Sequence, residues 1–127
     1  MKRPTGLFYF IKMIEYIINN HLGSMVYQED QTVQHAKRNL CLIKSMCIEH
    51  FFTLEGYCYA VKKKLRFSYR VPLYLDEDHQ FLPTQRLRDY ENIWINHAAI
   101  GQIMSVDHGV EIIFYSGRRI YLKNSLN

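Results

Sequence analysis

Basic side chains are concentrated in a short segment of the chain that could bind phosphate groups. Residues 57–70 read YCYAVKKKLRFSYR, in which tyrosine and phenylalanine residues are interleaved with Lys62, Lys63, Lys64, Arg66 and Arg70. Positive groups on one surface neutralise phosphates, and the counterions that are released drive binding. The same residues would also form an ordinary solvated helix face, so the sequence leaves both interpretations open.

A second basic pair, Arg118 and Arg119, follows a Ser-Gly turn near the end of the chain. An arginine on a protruding turn could enter a narrow A·T-rich minor groove, where the electrostatic potential is most negative. Polar residues at a turn also keep a hairpin soluble, which is the simpler explanation.

Motifs for catalysis and metal binding are absent from the sequence. It has no nucleophile elbow, no phosphate-binding glycine loop and no HExxH. Asp76, Asp78 and His79 could imitate an acid/base cluster but read better as a turn. Cys47 and His50 lie one helical turn apart, but no third group supports a thiolate pair. We therefore expect a protein that is not an enzyme and that holds no metal or cofactor.

Composition predicts one globular domain in a reducing compartment. The chain has 127 residues, of which 48% are apolar and 22% charged, which is enough for a core. Its net charge is +4, and residues 37–70 alone carry eight basic and two acidic residues, a net of +6. This distribution favours an anionic partner. The three cysteines include no CxxC pair, so we expect no disulfides.

The N-terminus begins like a signal peptide, with basic residues before an apolar run. Lys12 and Glu15 interrupt that run, and no small-residue cleavage site follows cleanly. No run approaches the roughly 18 apolar residues of a membrane span. We therefore expect a cytoplasmic protein without a membrane partner.

Residues 37–67 are expected to contain one or two helices. From Leu40 to Phe52 the apolar residues recur at spacings of three and four, which predicts a helix. Gly56 could separate it from a second helix over Tyr57–Phe67, with the lysines on its outer side. A strand is the alternative for this second element.

After Arg70 the apolar period becomes two, which predicts strands. Val71–Asp76 is expected to be a strand that lies at a sheet edge or has Pro72 at its first position, because Pro72 has no N–H to donate. A turn over Asp76–Asp78, a strand over Gln80–Leu82 and a strand over Ile93–Ile95 follow. Trp94 is expected to anchor the core, with its indole N–H bonded to a carbonyl. The predicted fold class is α+β, a single domain that is mainly antiparallel sheet in its C-terminal half.

The last strands are expected to form a hairpin whose register can be predicted. A two-residue turn would mix both faces. A three-residue loop of Tyr115, Ser116 and Gly117 puts the apolar residues on one face and gives Gly117 the left-handed position. These inward residues are Val110, Ile112, Phe114, Ile120 and Leu122. Tyr115, Arg119, Tyr121 and Lys123 are then expected to face outward.

Several motifs, in this order, resemble those of the ComK family. Tyr16–Asn19 resembles its opening strand, and Leu42–Cys47 resembles a helix that carries a Ser-Cys pair. The other matching segments are Phe81–Thr84 (its FPT motif), Ile93–Asn96 (its tryptophan motif) and Phe114–Gly117 (its final hairpin). The resemblance covers residues 16–127 of one domain spanning 1–127, with 1–15 as an extra segment.

This resemblance implies a cytoplasmic, nucleoid-associated activator of genes for DNA uptake. Such proteins bind paired A/T-rich boxes as multimers through the minor groove, and an adaptor delivers them to a protease. The expected partners are therefore A/T-rich DNA, further copies of the chain and such an adaptor. The expected DNA-binding residues are Lys62, Lys63, Lys64, Arg66, Arg70, Arg118 and Arg119.

The sequence departs from the family at several places, which include Tyr57–Cys58, where the family has an arginine or lysine after its glycine, and a compressed region before Cys47. Phe51–Phe52 replaces a Gly-Ser pair, and the sequence ends at Asn127, where the family continues into a tail. A second hypothesis is therefore a truncated paralogue that pairs with a full-length relative and modulates it. A third is a LytTR-like DNA-binding domain, because WINHAAIGQI followed by a hairpin also resembles that family.

Overall fold

The computed structural model describes residues 13–65 and 70–123. Within these ranges the chain forms two α-helices, one 3-10 turn (His97–Ala99) and nine strands. The helices are α1 (Asn39–Glu49) and α2 (Leu54–Leu65). The strands are β1 (Ile14–Asn20), β2 (Gly23–Gln28), β3 (Thr32–His35), β4 (Leu73–Asp76), β5 (His79–Pro83), β6 (Trp94–Asn96), β7 (Ile100–Val106), β8 (Gly109–Phe114) and β9 (Arg119–Lys123).

The strands form two antiparallel sheets. The larger has six strands in the order β3-β2-β1-β6-β5-β4, and the smaller has three in the order β7-β8-β9. In the middle of the larger sheet, Ile17 of β1 lies opposite Trp94 of β6. The predicted α+β class is confirmed, and the N-terminal strands β1 to β3 supply half of the larger sheet.

The six-stranded sheet is the middle of three layers, because neighbouring residues of a strand point to opposite faces. Ile17 and Trp94 are buried in a core that includes residues of both helices. Their neighbours Tyr16 and Ile95 belong to a second core with Ile112 and other residues of the small sheet. The helices therefore cover one face of the large sheet, and the small sheet covers the other.

The predicted helices are both present. In α1 the buried residues Leu42, Ile43, Met46 and Cys47 recur at the expected helical spacing. The Oδ1 atom of Asn19 on β1 accepts a hydrogen bond from the N–H of Asn39 at 2.8 Å. It thus satisfies one of the unpaired N–H groups at the start of α1. The helix that the sequence assigns to 57–67 is α2, and the last two positions of that range lie outside the described residues.

The end of α1 keeps a turn that normally requires glycine. The N–H of Phe52 donates to the Cys47 carbonyl at 3.1 Å, and the N–H of Phe51 donates to the Ile48 carbonyl at 2.9 Å. This pair of hydrogen bonds is the Schellman motif, whose C′ residue adopts a left-handed conformation and is usually glycine. Here Phe51 occupies that position with φ of 68°. The substitution therefore leaves the turn in place, and Phe51 adopts a strained backbone conformation.

The predicted hairpin register is confirmed. Ile112 lies opposite Ile120 and Val110 opposite Leu122, which leaves a loop of residues 115–117. Gly117 has φ of 96°, in the left-handed region where glycine is favoured. The edge position expected for the strand after Pro72 is also confirmed, because β4 ends the order of the larger sheet.

Trp94 is fully buried, as predicted for a core anchor. The expected hydrogen bond of its indole is wrong, because its Nε1 atom has no acceptor among the described residues. Its neighbour Asn96 is also fully buried, and its Nδ2 atom donates to the carbonyls of Ile14 and Asp78 at 2.7 Å each. Apolar packing and this side-chain amide together hold β6 at the centre of the sheet.

Candidate nucleic-acid interface

The three lysines of the basic segment surround the exposed end of α2. Lys62, Lys63 and Lys64 occupy its last turn, and all three are exposed. Leu65 is 66% exposed, although the helical spacing predicts that it faces the core. The last turn of α2 therefore extends past the sheet that the helix packs on. Lysines at this position also interact favourably with the helix dipole, so they are compatible with α2 ending here.

The ammonium groups are spread around the helix end. Consecutive helical residues are about 100° apart, so Lys62–Lys64 cover roughly 200° of the circumference. Such a spread suits contacts with phosphates on either side of a groove better than binding of one compact anion. Arg70 is exposed and precedes β4. Arg66, the remaining candidate of this segment, lies outside the described residues.

An apolar cavity with a basic rim lies beside the lysines, between the two helices and the loop that joins β5 to β6. It has a volume of about 290 Å³ and is open to solvent on one side. We call it the helix-pair cavity; it is lined by the apolar residues Leu40, Leu54, Cys58 and Leu87, and by Lys44, Lys62, Arg88, Glu55 and Tyr59. Lys44 forms an ion pair with Glu55 at 2.9 Å. This cavity could not be predicted from the sequence, because its lining comes from three separate segments.

Arg118 lies on the opposite side of the large sheet and is used within the fold. Its Nε atom donates to Oε1 of Glu15 at 2.6 Å, and the Glu15 side chain is only 2% exposed. Its Nη2 atom donates to the Gln28 carbonyl at 3.1 Å, and its guanidinium lies 5.0 Å from the centre of the Tyr27 ring. Ser116 donates a further hydrogen bond to Glu15. The guanidinium therefore joins the small sheet to β1 and β2, and the groove contact of Arg118 stays a prediction.

Arg119 differs from its neighbour in being exposed to solvent. Its side chain is 58% exposed and forms an ion pair with Glu111 at 3.2 Å. Arg118 and Arg119 both belong to the small-sheet side of the molecule, whereas the lysines belong to the helical side. The structure therefore divides the predicted binding residues between two faces separated by the large sheet.

The candidate acid/base residues form a hydrogen-bonded cluster that joins α1 to the β4–β5 turn. The Nε2 atom of His50 is 3.1 Å from Oδ2 of Asp76, and the Nδ1 atom of His79 is 3.1 Å from Oδ1 of Asp76. The Nδ1 atom of His50 is 2.9 Å from the Met46 carbonyl. The two ring nitrogens of His50 thus contact both the α1 backbone and the Asp76 carboxylate. The cluster therefore has the arrangement of a structural contact between α1 and the β4–β5 turn and not that of a catalytic pair.

Asp76 is expected to stabilise the protein in a pH-dependent way. Burial raises the pKa of Asp76, but hydrogen bonds and charge from His50 and His79 outweigh it and hold that pKa below the ordinary 3.8. A carboxyl whose pKa is lowered by folding contributes stability above its unfolded pKa, and the contribution is lost as pH falls through the folded pKa. We expect Asp76→Asn to lower the free energy of unfolding by about 1 kcal/mol at neutral pH, because the site is partly exposed. Urea unfolding at neutral pH and near pH 3 measures this.

The control for this prediction is Asp78→Asn in the same turn. Asp78 takes part in the described contacts through its backbone, so its substitution should have little effect at either pH. Equal effects of the two variants, or an Asp76→Asn effect that persists in acid, would contradict the role given to Asp76.

The predicted alternative of a Cys47–His50 thiolate pair is not supported by the geometry, because the described contacts of His50 go to Met46 and Asp76. Cys47 is fully buried, and burial raises the pKa of its thiol to about 12. Burial also raises the pKa of Cys58. A thiol with such a pKa is almost entirely protonated at neutral pH and is a poor nucleophile.

We expect one fast-reacting thiol in the folded protein, because Cys41 is exposed whereas Cys47 and Cys58 are buried. An aromatic disulfide reagent at neutral pH should titrate one thiol per chain rapidly, and all three after unfolding. Cys41→Ser should abolish the rapid phase. A second rapid thiol in that variant would show that one of the buried cysteines is reactive.

Metal binding and membrane crossing find no support in the part of the chain that is described. Across residues 13–65 and 70–123, no three His, Cys, Asp or Glu side chains are grouped so as to hold a metal ion. Neither described helix is long and apolar enough to cross a bilayer.

Comparison with known proteins assigns the chain to a class and then to a family. The sequence matches the model of a family of transcription factors over residues 11–127, which is nearly the whole chain. That family is described as ComK protein, and the chain belongs to the ComK family. It is a family of competence transcription factors and not of enzymes. No curated protein and no solved structure matches the chain. The match favours the ComK resemblance over the LytTR-like alternative.

Proposed function

We propose that this protein is a DNA-binding regulator of competence genes that recognises A/T-rich boxes through the minor groove. The observation that carries the proposal is the exposed lysine cluster at the end of α2, in a member of a transcription-factor family. The cluster belongs to the segment 37–70, whose net charge is +6, so the helical side has the charge that a DNA backbone attracts.

In this proposal Lys62, Lys63 and Lys64 contact phosphates, together with Arg66 and Arg70. The A/T preference arises because A/T-rich minor grooves are narrow and strongly negative, which favours basic side chains without base-specific hydrogen bonds. Arg118 has a structural role, because its guanidinium is already bonded to Glu15. Arg119 is a secondary candidate, since it faces away from the lysines and would need a separate contact with DNA.

The cellular setting of the proposal follows from the family. We place the activity in the cytoplasm, at the nucleoid, with self-association as a dimer or larger assembly. Regulation by an adaptor that delivers the protein to a protease is part of the same proposal. The ComK match over residues 11–127 supports each of these by family membership.

The direct test is a gel shift with duplexes that contain A/T-rich boxes, across a series of salt concentrations. We expect a complex at low salt. The logarithm of its binding constant should fall linearly with the logarithm of the salt concentration, because each neutralised phosphate releases counterions. A G/C-rich duplex of the same length is the control and should bind more weakly. The proposal fails if no complex forms with the A/T-rich duplex at low salt.

A second candidate function is a protein-interaction module that modulates another member of the ComK family. It is favoured by the helix-pair cavity, which is concave, mostly apolar and exposed. Co-purification with another ComK-family protein, without DNA binding by this chain alone, would support this second function over the first.

A further inference from the structure

Phe51 projects from the end of α1 and is unusually exposed. Its side chain is 96% exposed, and its backbone adopts the left-handed conformation that a bulky residue rarely takes. Ile48, in the last turn of α1, is 60% exposed. We call this pair the Phe51 knob. Both the strain and the exposure would be relieved by glycine at position 51, so folding of the single chain does not explain the phenylalanine.

The surroundings of the Phe51 knob are acidic. Glu49 is its exposed neighbour on α1. His50 joins the same helix end to Asp76, and the adjoining β4–β5 turn contains Glu77 and Asp78. A DNA backbone would be repelled by these carboxylates, so the knob is poorly suited to the duplex and better suited to a basic protein surface.

The helix-pair cavity has the complementary properties. Its floor is apolar, and its volume of about 290 Å³ can hold an aromatic ring and part of an aliphatic side chain. Its rim carries the cations Lys44, Lys62 and Arg88 against the single carboxylate of Glu55. One end of the helix pair is thus an apolar projection among acidic groups, and the flank of the same pair is an apolar recess among basic groups.

We infer that the Phe51 knob of one molecule binds in the helix-pair cavity of a second copy of this chain. The carboxylates near the knob then face the cations of the rim, and two apolar surfaces that are exposed in the single chain become buried. The knob and the cavity are different surfaces, so the contact is heterologous, and a pair of molecules joined by one such contact keeps one unused knob and one unused cavity. Association can therefore continue beyond a dimer.

This inference rests on the self-association included in the proposed function and names the two surfaces that form it. It is measured without DNA, so its failure can be distinguished from a failure of DNA binding. We predict that Phe51→Gly raises the dissociation constant of self-association at least tenfold, while the melting temperature of the protein stays equal or rises. The first effect is expected because the variant loses the large side chain that becomes buried when two molecules associate. Relief of the left-handed strain accounts for the second. Tyr115→Ala is the matched control, since Tyr115 is an exposed aromatic residue (77%) in the hairpin loop.

The decisive experiment uses sedimentation velocity on two variants, each defective in one half of the contact. Phe51→Gly keeps its cavity, and Leu87→Lys keeps its knob but blocks its cavity. Alone, each should be monomeric at concentrations where the wild type associates. An equimolar mixture should form a one-to-one dimer that grows no further, because only one intact knob and one intact cavity remain. Arg88→Glu, at the rim, replaces Leu87→Lys if the latter does not fold.

Three outcomes overturn the inference: a wild type that stays monomeric at high micromolar concentration, a Phe51→Gly variant that associates like the wild type, or a mixture in which no dimer forms. A DNA complex in the gel shift alongside any of these outcomes would leave the proposed DNA binding standing and remove only the contact. Absence of a DNA complex alongside the mixed dimer would leave the contact standing and remove the DNA binding.

Discussion

Replacing Arg118 with alanine is expected to lower the free energy of unfolding by about 3–5 kcal/mol, because it leaves a buried carboxylate without the cation that neutralises it. Glu15 is 2% exposed, and Arg118 lies 2.6 Å from it. The same substitution removes the hydrogen bond to the Gln28 carbonyl and the packing on Tyr27. Urea unfolding at neutral pH measures the loss. Since Glu15 belongs to β1 and Arg118 follows β8, the expected result is loosening between the two sheets.

The control for this prediction is the adjacent residue. Arg119→Ala removes an exposed ion pair with Glu111 and should cost less than about 1 kcal/mol. If Arg118→Ala costs no more than Arg119→Ala, the contact with Glu15 does not stabilise the fold. A double variant with Glu15→Gln should recover part of the loss, because a neutral amide is less costly to bury unpaired than a carboxylate.

Replacing Lys62, Lys63 and Lys64 together with alanine is expected to weaken binding to A/T-rich DNA by about two orders of magnitude near 0.1 M salt. Each lost phosphate contact should also reduce the slope of log K against log salt by about 0.9, so the change approaches 2.7 if all three contribute. The lysines are exposed, so the stability of the fold should change little. Fluorescence anisotropy of a labelled duplex at several salt concentrations measures both quantities.

The matched control for the lysine variant lies on the other side of the large sheet. Arg119→Ala combined with Lys123→Ala removes two exposed cations of β9, and the slope should stay close to that of the wild type if the lysine side alone contacts DNA. If this control lowers the slope as much as the lysine variant does, the small sheet contacts DNA as well. If the lysine variant keeps the full slope, those lysines do not contact phosphates.

Elements with a clear apolar period could be predicted from the sequence. Helix α1 was predicted from the spacing of Leu42, Ile43, Met46 and Cys47. The hairpin register was predicted by placing Ile112 and Ile120 on the same face of the sheet. Both patterns are local, so the partners that define them are near in the chain. The strands β2 and β3 were not predicted, because β2 buries polar Ser24 and Gln28 and so breaks the alternation of apolar and polar residues.

Contacts between distant segments could not be predicted in the same way. The sequence placed Arg118 outside as a candidate groove residue, but its partner Glu15 is 103 positions away and reads as a surface residue in the sequence. The two carbonyls that Asn96 binds are likewise set by how the strands pair. The division of the candidate basic residues between two faces depends on the order of the strands in the large sheet, which the motif order along the chain does not contain.

In the candidate site, too, features formed by one continuous segment could be predicted, and features formed by distant segments could not. The lysine run was identified as a helix face, and that placement is correct because α2 is a continuous local element. The helix-pair cavity and the exposure of Phe51 were not foreseen. The cavity brings Leu87 against α1 and α2, and a sequence departure at Phe51–Phe52 signals a changed turn without indicating where the side chain points.

The burial of Trp94 has a practical consequence for measurement. The chain has one tryptophan, its indole is fully enclosed between the helices and the large sheet, and no described acceptor binds its Nε1 atom. An indole in such dry surroundings emits at short wavelength, and the emission moves to longer wavelength when water reaches it. The wild-type chain therefore contains its own optical reporter of the helix–sheet core. Its ten tyrosines are excited much less at long excitation wavelengths, so every unfolding experiment above can be followed without a label.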